Sequence, residues 1–329
     1  MAVRVAINGF GRIGRSVLRA WLGGGWPDVE IVAINDIARA DISAYLFEYD
    51  SVYGPFPGLV RLEDAALVVD DRRFRLTGAR DLAAVDLRGV DVVMECTGRA
   101  DTAEVAGRGL LAGAGRVLIS GPSQAAEFTV VLGANEAGLT AGIGGQRIVS
   151  NASCTTNALA PLVKLLDGAF GIVTGSMTTI HCYTGSQPTV DAPAADFARS
   201  RAAALSMVPT STSAQRLLDQ VLPDLAGRIG GSAVRVPVAS VSAVDLAVMP
   251  GVQVTAGQVN DVLRAAGGVI GWTNRPLVSS DLRARPESIV MALPETRVTE
   301  GGMVRVFGWY DNEWGFSCRM LDVAARMGP

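Results

Sequence analysis

The chain has 329 residues and a mass of 34.3 kDa, enough for two globular units, each with its own core. Hydrophobic residues make up 49% and charged residues 19%, which excludes a disordered chain, and 29 basic against 32 acidic side chains give a net charge of −3. That balance leaves no bulk positive field to hold a nucleic-acid backbone or an anionic bilayer.

The chain opens with an apolar strand pattern over Arg4 to Asn8, then the glycine-rich turn Gly9 to Gly14. Ile13, Val17, Leu18 and Trp21 follow at helical spacing, and Glu30 to Asn35 reads as the next strand. This is one β-α-β unit whose connections favour a parallel pair. Further strands are expected at Ala66 to Val69, Arg73 to Leu76, Asp91 to Cys96, Arg116 to Ser120 and Phe128 to Leu132. Asp70-Asp71 should form a hairpin turn, and Thr102 to Ala112 a crossover helix. The first half is therefore an α/β sheet. After Ser150 the pattern changes, with longer strands at Ser176 to Cys182, Ala233 to Val248 and Met303 to Tyr310. Tyr183 to Ser213 is irregular, as functional loops commonly are. Asn312 to Met327 should be a closing helix.

Four cysteines, Cys96, Cys154, Cys182 and Cys318, lie too far apart in sequence for a disulfide framework or a zinc cluster, so no metal site is expected and a reducing, cytoplasmic setting is. No basic-then-apolar leader opens the chain, and no apolar run approaches the ~18 residues a membrane span needs, so neither export nor a membrane is expected.

Gly9-Phe10-Gly11-Arg12-Ile13-Gly14 fits the G-x-G-x-x-G dinucleotide pattern in its proper setting, after a strand and opening a helix. Backbone N–H groups and the helix N-terminus can there face a pyrophosphate. Asp36, at the end of the second strand, can accept hydrogen bonds from ribose hydroxyls and would repel a 2′-phosphate. NAD is favoured over NADP, with Arg39 nearby pulling the other way.

The run Ser150-Asn151-Ala152-Ser153-Cys154-Thr155-Thr156-Asn157 leads into an apolar helical pattern, which puts Cys154 near a helix start. A thiol there should have a depressed pKa and supply thiolate. Pro161 suggests that the helix begins a turn after the cysteine. His181 is the only histidine, so imidazole acid-base chemistry has no other source. Strand alternation sends Cys182 to the face opposite His181, and Cys96 and Cys318 read as core residues.

Asn8 to Gly14, Ser150 to Asn157, Thr178-Thr179-Ile180-His181 with Tyr183-Thr184, and Trp309 to Gly315 together resemble the glyceraldehyde-3-phosphate dehydrogenase family, in the same order over essentially the whole chain. The resemblance implies a Rossmann-type NAD-binding domain over 1–152, an α+β catalytic domain with a mixed or antiparallel sheet over 153–311, and a helix over 312–329 returning to the first domain. It implies a homotetramer that oxidises a phosphorylated aldehyde with NAD and inorganic phosphate. Cys154 would be the nucleophile and His181 the acid and base. Thr184 and Arg235 would bind the substrate phosphate, and Ser153, Thr155, Arg199, Thr212 and Ser213 the attacking one. The cofactor would meet Gly9, Gly11, Arg12, Ile13, Gly14, Asp36, Arg80, Thr97, Ser120 and, at the nicotinamide amide, Asn312. Read without the resemblance, Asn312 is a helix N-cap. The loop Ala192 to Ser206 would meet a neighbouring subunit. Five departures bear on the substrate: Ser213 for a usual glycine, Tyr53 and Pro55 for His and Arg, Ala158 for a second cysteine, and Pro188 for lysine. An erythrose 4-phosphate enzyme and, from another class, a silent NAD-binding or RNA-associating protein stand as alternatives.

Overall fold

The computed structural model describes residues 2–140, 145–194 and 196–328, so Ala195 of the loop Ala192 to Ser206 lies outside the described residues. The chain divides into two units, Met1–Val130 with Asn135–Ala152 and Ser317–Pro329, and Val131–Ala134 with Ser153–Phe316.

In the first unit, β1 (Val3–Asn8) runs through the glycine turn into α1 (Arg12–Leu22), whose Val17, Leu18 and Trp21 are buried as their spacing requires. There follow β2 (Val29–Asn35), α2 (Ala40–Glu48), β3 (Val60–Glu63), β4 (Ala66–Val69), β5 (Arg72–Thr77), β6 (Val92–Glu95), α3 (Ala103–Leu111), β7 (Arg116–Ile119), β8 (Phe128–Thr129) and β9 (Ile148–Ser150). Among the described residues these strands form one sheet in the order β3-β4-β5-β2-β1-β6-β7-β9-β8. From β5 to β8 every pairing is parallel, and only β3-β4-β5 is antiparallel. Asp70, at φ +52, makes the expected hairpin turn between β4 and β5. Because β1 leads to β2 on one side and β6 lies on the other, the sheet has a topological switch point at the carboxyl ends of β1 and β6, where open α/β sheets bind ligands. The strand expected over Phe128 to Leu132 shortens to two residues, after which the chain leaves the sheet.

The second unit begins with α4 (Cys154–Phe170) and β10 (Ile172–Cys182), then β11 (Val208–Thr210), α5 (Ala214–Val221), β12 (Ile229–Val236), β13 (Ser242–Pro250), α6 (Ala256–Ala265), β14 (Ile270–Thr273), β15 (Ile289–Ala292), β16 (Arg297–Val298) and β17 (Val304–Tyr310). α7 (Trp314–Arg326) closes the chain, starting later than Asn312. The mixed sheet runs β11-β12-β10-β13-β17-β15-β14, with β16 on β17. The single long strand expected over Ala233 to Val248 is two strands on opposite sides of β10, with β12 parallel and β13 antiparallel to it. Pro237, which has no N–H to offer a ladder, and Val241 at φ +65 interrupt the pattern between them.

Candidate active site

The reacting groups are placed by a helix start and by sheet register. Ser153 caps α4: its hydroxyl accepts the Thr156 N–H at 3.1 Å and its carbonyl the Asn157 N–H at 2.9 Å, so the helix starts at Cys154 itself. The expected start a turn later is therefore wrong. Pro161 sits inside the helix and costs one rung of hydrogen bonding, which burial of Leu159, Leu162, Val163 and Leu166 outweighs. Ala152, just before the cap, has φ +54, a left-handed conformation costly for an L side chain.

His181 lies near the end of β10, and Arg235 is its in-register partner on the parallel strand β12. In-register residues of neighbouring strands point to the same face, so the guanidinium meets the imidazole. His181 Nε2 is 3.6 Å from Cys154 Sγ. On the other ring edge Nδ1 is 2.7 Å from the Cys182 carbonyl oxygen and 2.8 Å from Arg235 Nη1, which itself donates to that carbonyl at 2.9 Å. Arg235 has no carboxylate partner among the described residues. Burial, and after it the Arg235 cation, push the imidazole down to about 4.

Burial also pushes the Cys154 thiol up, with the Arg235 charge and hydrogen bonds from Thr155 opposing it. The expected depression by the helix start is thus reversed, because the sulfur has lost more hydration than the helix end and the arginine return. Burial thus works against charge on both groups, and the 3.6 Å approach gives the proton a path from Sγ to Nε2 as the sulfur attacks.

Tyr310, which the sequence reading left without a role, braces this pair. Its buried hydroxyl is 2.8 Å from Thr155 Oγ1 and 2.8 Å from Thr179 Oγ1, and its ring meets His181 edge-on at 6.0 Å. It ties the first turn of α4 to β10. The signal was the alternation of β17, which turns Val304, Val306 and Tyr310 inward, but alternation alone does not say what Tyr310 touches.

The remaining candidate phosphate residues are less converged. Thr184 Oγ1 is 2.9 Å from Ser186 Oγ, while Arg199 donates to Thr210 Oγ1 at 2.7 Å and to the Ser211 carbonyl at 3.3 Å. Thr212 Oγ1 accepts the Ala214 N–H at 3.1 Å at the start of α5. Ser213 has φ −76, an ordinary helical value, so this position does not need the glycine usual there. β11 pairs with β12, which sets Val208, Arg235 and His181 in one row across the sheet. The hydroxyls of Ser153 and Thr155 are engaged with Thr156 and Tyr310.

Asn312 does not cap the last helix. Asp311 does, accepting the Glu313 and Trp314 N–H groups at 3.0 and 2.8 Å. The Asn312 amide oxygen instead accepts from Cys182 Sγ at 3.0 Å and from Ser242 Oγ at 3.4 Å.

The first unit carries a cavity of about 270 Å³ at its switch point, lined among others by Gly9, Gly11, Asp36, Arg80, Glu95, Cys96, Thr97 and Arg99. Arg12, Ile13, Gly14 and Ser120 are not on this wall. Arg12 pairs with Asp50 and lies over the Tyr53 ring at 5.4 Å. A Cβ on Gly14 would be 2.2 Å from the Gly9 carbonyl oxygen, so this glycine serves the close approach of turn and helix. Gly11 differs: it stands at the N-cap of α1 with no side-chain cap, and a Cβ there would meet nothing within 4 Å. The helix N-terminus therefore faces open space, the cradle a pyrophosphate needs. Asp36 is held by the Phe10 N–H at 2.5 Å and the Ala38 N–H at 2.7 Å, leaving acceptor capacity for ribose hydroxyls. Arg39, which would have favoured a 2′-phosphate, is paired with Asp41. These groups fit a dinucleotide of the NAD type.

Cys96 is part of that wall and not a core residue, since β6 ends at Glu95 and the chain turns over the cavity. Cys318 is buried as expected. Glu95 is a floor residue that the sequence reading missed, although a carboxylate ending the apolar run Val92-Val93-Met94 was a usable signal. It accepts from Asn8 Nδ2 and from the Thr97 N–H, and Asn35 Nδ2 donates to Asn8 Oδ1 at 2.8 Å. Among the described residues no cluster of His, Cys, Asp or Glu could hold a metal ion, and no helix is long and apolar enough to cross a membrane.

Two protein families match this chain: the glyceraldehyde 3-phosphate dehydrogenase NAD-binding domain over residues 3–103, and the C-terminal domain of the same enzyme over residues 153–312. Among curated relatives, the glyceraldehyde-3-phosphate dehydrogenase of Cereibacter sphaeroides is 49% identical over 333 residues, covering 100% of this chain and 99% of the relative. That of Xanthobacter flavus is 47% identical over 335 residues, with 100% and 99% covered. Glyceraldehyde-3-phosphate dehydrogenase 1 of Bacillus subtilis is 44% identical over 332 residues, with 99% and 98% covered.

Proposed function

The chain belongs to the glyceraldehyde-3-phosphate dehydrogenase family, and from this we infer that it is an NAD-dependent oxidoreductase that oxidises glyceraldehyde 3-phosphate with inorganic phosphate to the acyl phosphate. The observation that carries the reading is the 3.6 Å approach of the only imidazole in the chain to the sulfur at the start of α4.

The chemistry follows from the order of these groups. Cys154 gives its proton to Nε2 of His181 as the sulfur bonds to the aldehyde carbon, and the imidazolium returns the proton to the carbonyl oxygen. For Nε2 to accept, Nδ1 must hold the ring's own proton, and there the N–H donates to the Cys182 carbonyl at 2.7 Å. Nε2 then takes the hydroxyl proton of the hemithioacetal as its carbon is oxidised to a thioester. Bound NAD supplies the hydride acceptor. Gly9, Gly11, Asp36, Arg80 and Thr97 would hold the cofactor, together with Arg12, Ile13 and Gly14 at the helix start, Ser120, and Asn312 at the nicotinamide amide. Inorganic phosphate attacks the thioester carbon, the sulfur leaves as thiolate, and His181 returns its proton.

Arg235 is a cation beside the reacting pair without a counter-anion among the described residues, which supports its assignment to the substrate phosphate, with Thr184 two residues beyond β10. Ser153, Thr155, Arg199, Thr212 and Ser213 would serve the attacking phosphate, guanidinium and hydroxyl donors being suited to its oxygens. We also assign the protein to the cytoplasm, to glycolysis and to a homotetramer. All four cysteines are free, and Phe197 and Leu205 expose large apolar side chains on the loop Ala192 to Ser206, the one expected to meet a neighbouring subunit. Nothing in the structure favours the four-carbon sugar or a silent binder. NADH absorbance under glyceraldehyde 3-phosphate and phosphate tests the activity. A trace that stays flat, or one as fast without phosphate, overturns it, and a monomer by sedimentation overturns the tetramer.

A further inference from the structure

Cys182 is the thiol beside the reacting pair that the chemistry above does not use. Strand alternation turns it away from His181, and it is fully buried. Its Sγ is 3.0 Å from Asn312 Oδ1. Ser242 Oγ accepts the Cys182 backbone N–H at 3.1 Å and directs its own hydrogen at the same Asn312 oxygen, 3.4 Å away. Two donors therefore converge on one amide oxygen and fill its two lone pairs. The flipped amide would take the acceptor away from both the thiol and the hydroxyl hydrogens and set one N–H against sulfur, a weak acceptor. The orientation is thus decided by the partners. Asn312 is only 6% exposed, yet its Nδ2 has no hydrogen-bond partner among the described residues. That NH2 edge is not sealed inside the protein, so both of its hydrogens are open to a ligand oxygen.

We propose that Cys182, acting with Ser242, is a positioning residue that locks the Asn312 amide so that its NH2 edge stands ready to donate to the carboxamide oxygen of the nicotinamide. This rests on the reading above in requiring NAD as the cofactor and Asn312 at its nicotinamide amide. Burial pushes the Cys182 thiol up to about 12, so it keeps its proton and remains a donor at any pH at which the enzyme works. A cysteine suits the position because its thiol is a small, largely apolar group that packs in a dry interior while still supplying one hydrogen.

Calorimetric titration with two ligands tests the idea, NAD and ADP-ribose, the second lacking the nicotinamide. In Cys182→Ala the dissociation constant for NAD should rise about five- to tenfold, the usual effect of one lost hydrogen bond, while that for ADP-ribose stays unchanged. Cys182→Ser, whose hydroxyl donates in the same place, should restore NAD binding. Three results would overturn the proposal: unchanged NAD binding in the alanine variant, equal weakening of both ligands, or a serine variant as weak as alanine. If Cys182→Ala does not fold, Ser242→Ala removes the second donor and should show the same contrast in smaller measure; no contrast there counts against the proposal. Wild-type NADH formation separates the two readings. Normal turnover with unchanged NAD binding in the variants removes only the positioning role, whereas absent turnover removes the activity and leaves the binding contrast intact.

Discussion

The cofactor cavity and the thiol-imidazole pair are built in opposite ways. The cavity wall comes mostly from short turns at the ends of neighbouring strands, and its key groups are backbone amides, missing Cβ atoms and one carboxylate held by two N–H donors. The reacting pair is made of side chains separated by 27 residues, with Arg235 another 54 residues on, brought together by sheet register and a capped helix. A site built from backbone tolerates any side chain that does not intrude. A site built from register depends on the identity of each group.

Substitutions should expose that asymmetry. Cys154→Ser should abolish NADH formation, a loss of more than about 10⁴, and leave NAD affinity within a few fold; activity surviving the change would reassign the nucleophile. His181→Asn should slow thioester formation by about 10²–10⁴, read in single turnovers, and an unchanged rate would take the imidazole out of the reaction.

Acid should act through the same pair. The folded imidazole is held at about 4, below its ordinary value of 6.5, so the unfolded chain binds the extra proton between those values. Stability from this group is complete above about pH 6.5 and is lost as pH falls toward 4, by about 3 kcal/mol in all. Denaturant midpoints at pH 7 and pH 4 should therefore diverge by less in His181→Asn than in the wild type. Parallel behaviour would show that the imidazole is not held neutral by its surroundings.

The smallest effects should come from the cavity, where two glycines part company. Gly14→Ala forces a Cβ against the Gly9 carbonyl and should destabilise the fold by about 1–3 kcal/mol. Gly11→Ala meets no protein atom and should leave stability unchanged while weakening NAD about tenfold, because the methyl group occupies ligand space. If both variants lose stability equally, the distinction between turn and cradle fails.

Much of the cofactor region was legible because its signals are local. The strand, glycine turn, helix and Asp36 occupy one continuous stretch, and each local rule agrees with the next. The sequence also singled out Cys154 and His181, by the polar run around one and the uniqueness of the other. What it did not show were facts of pairing. That Arg235 lies beside His181 depends on the register of β12 against β10, and Tyr310 reaches Thr155 and Thr179 across long loops of chain. The sign of the Cys154 shift was missed because a helix start is visible in sequence and desolvation is not. The start of α4 was misplaced because the hydroxyl cap of Ser153 outranks a proline a full two turns inside.

The parallel pairing of β10 and β12 has a consequence for biosynthesis. A chain emerging from the ribosome exposes its nucleophilic sulfur long before residue 235 has been made, and the tyrosine at 310 follows later still. Closing such distant segments carries a loop-entropy cost that nearby contacts do not, so the reactive centre should mature late in folding. Nascent or partly unfolded molecules then carry a cysteine without its proton acceptor, and chemical competence arrives only when the last strands lock into place.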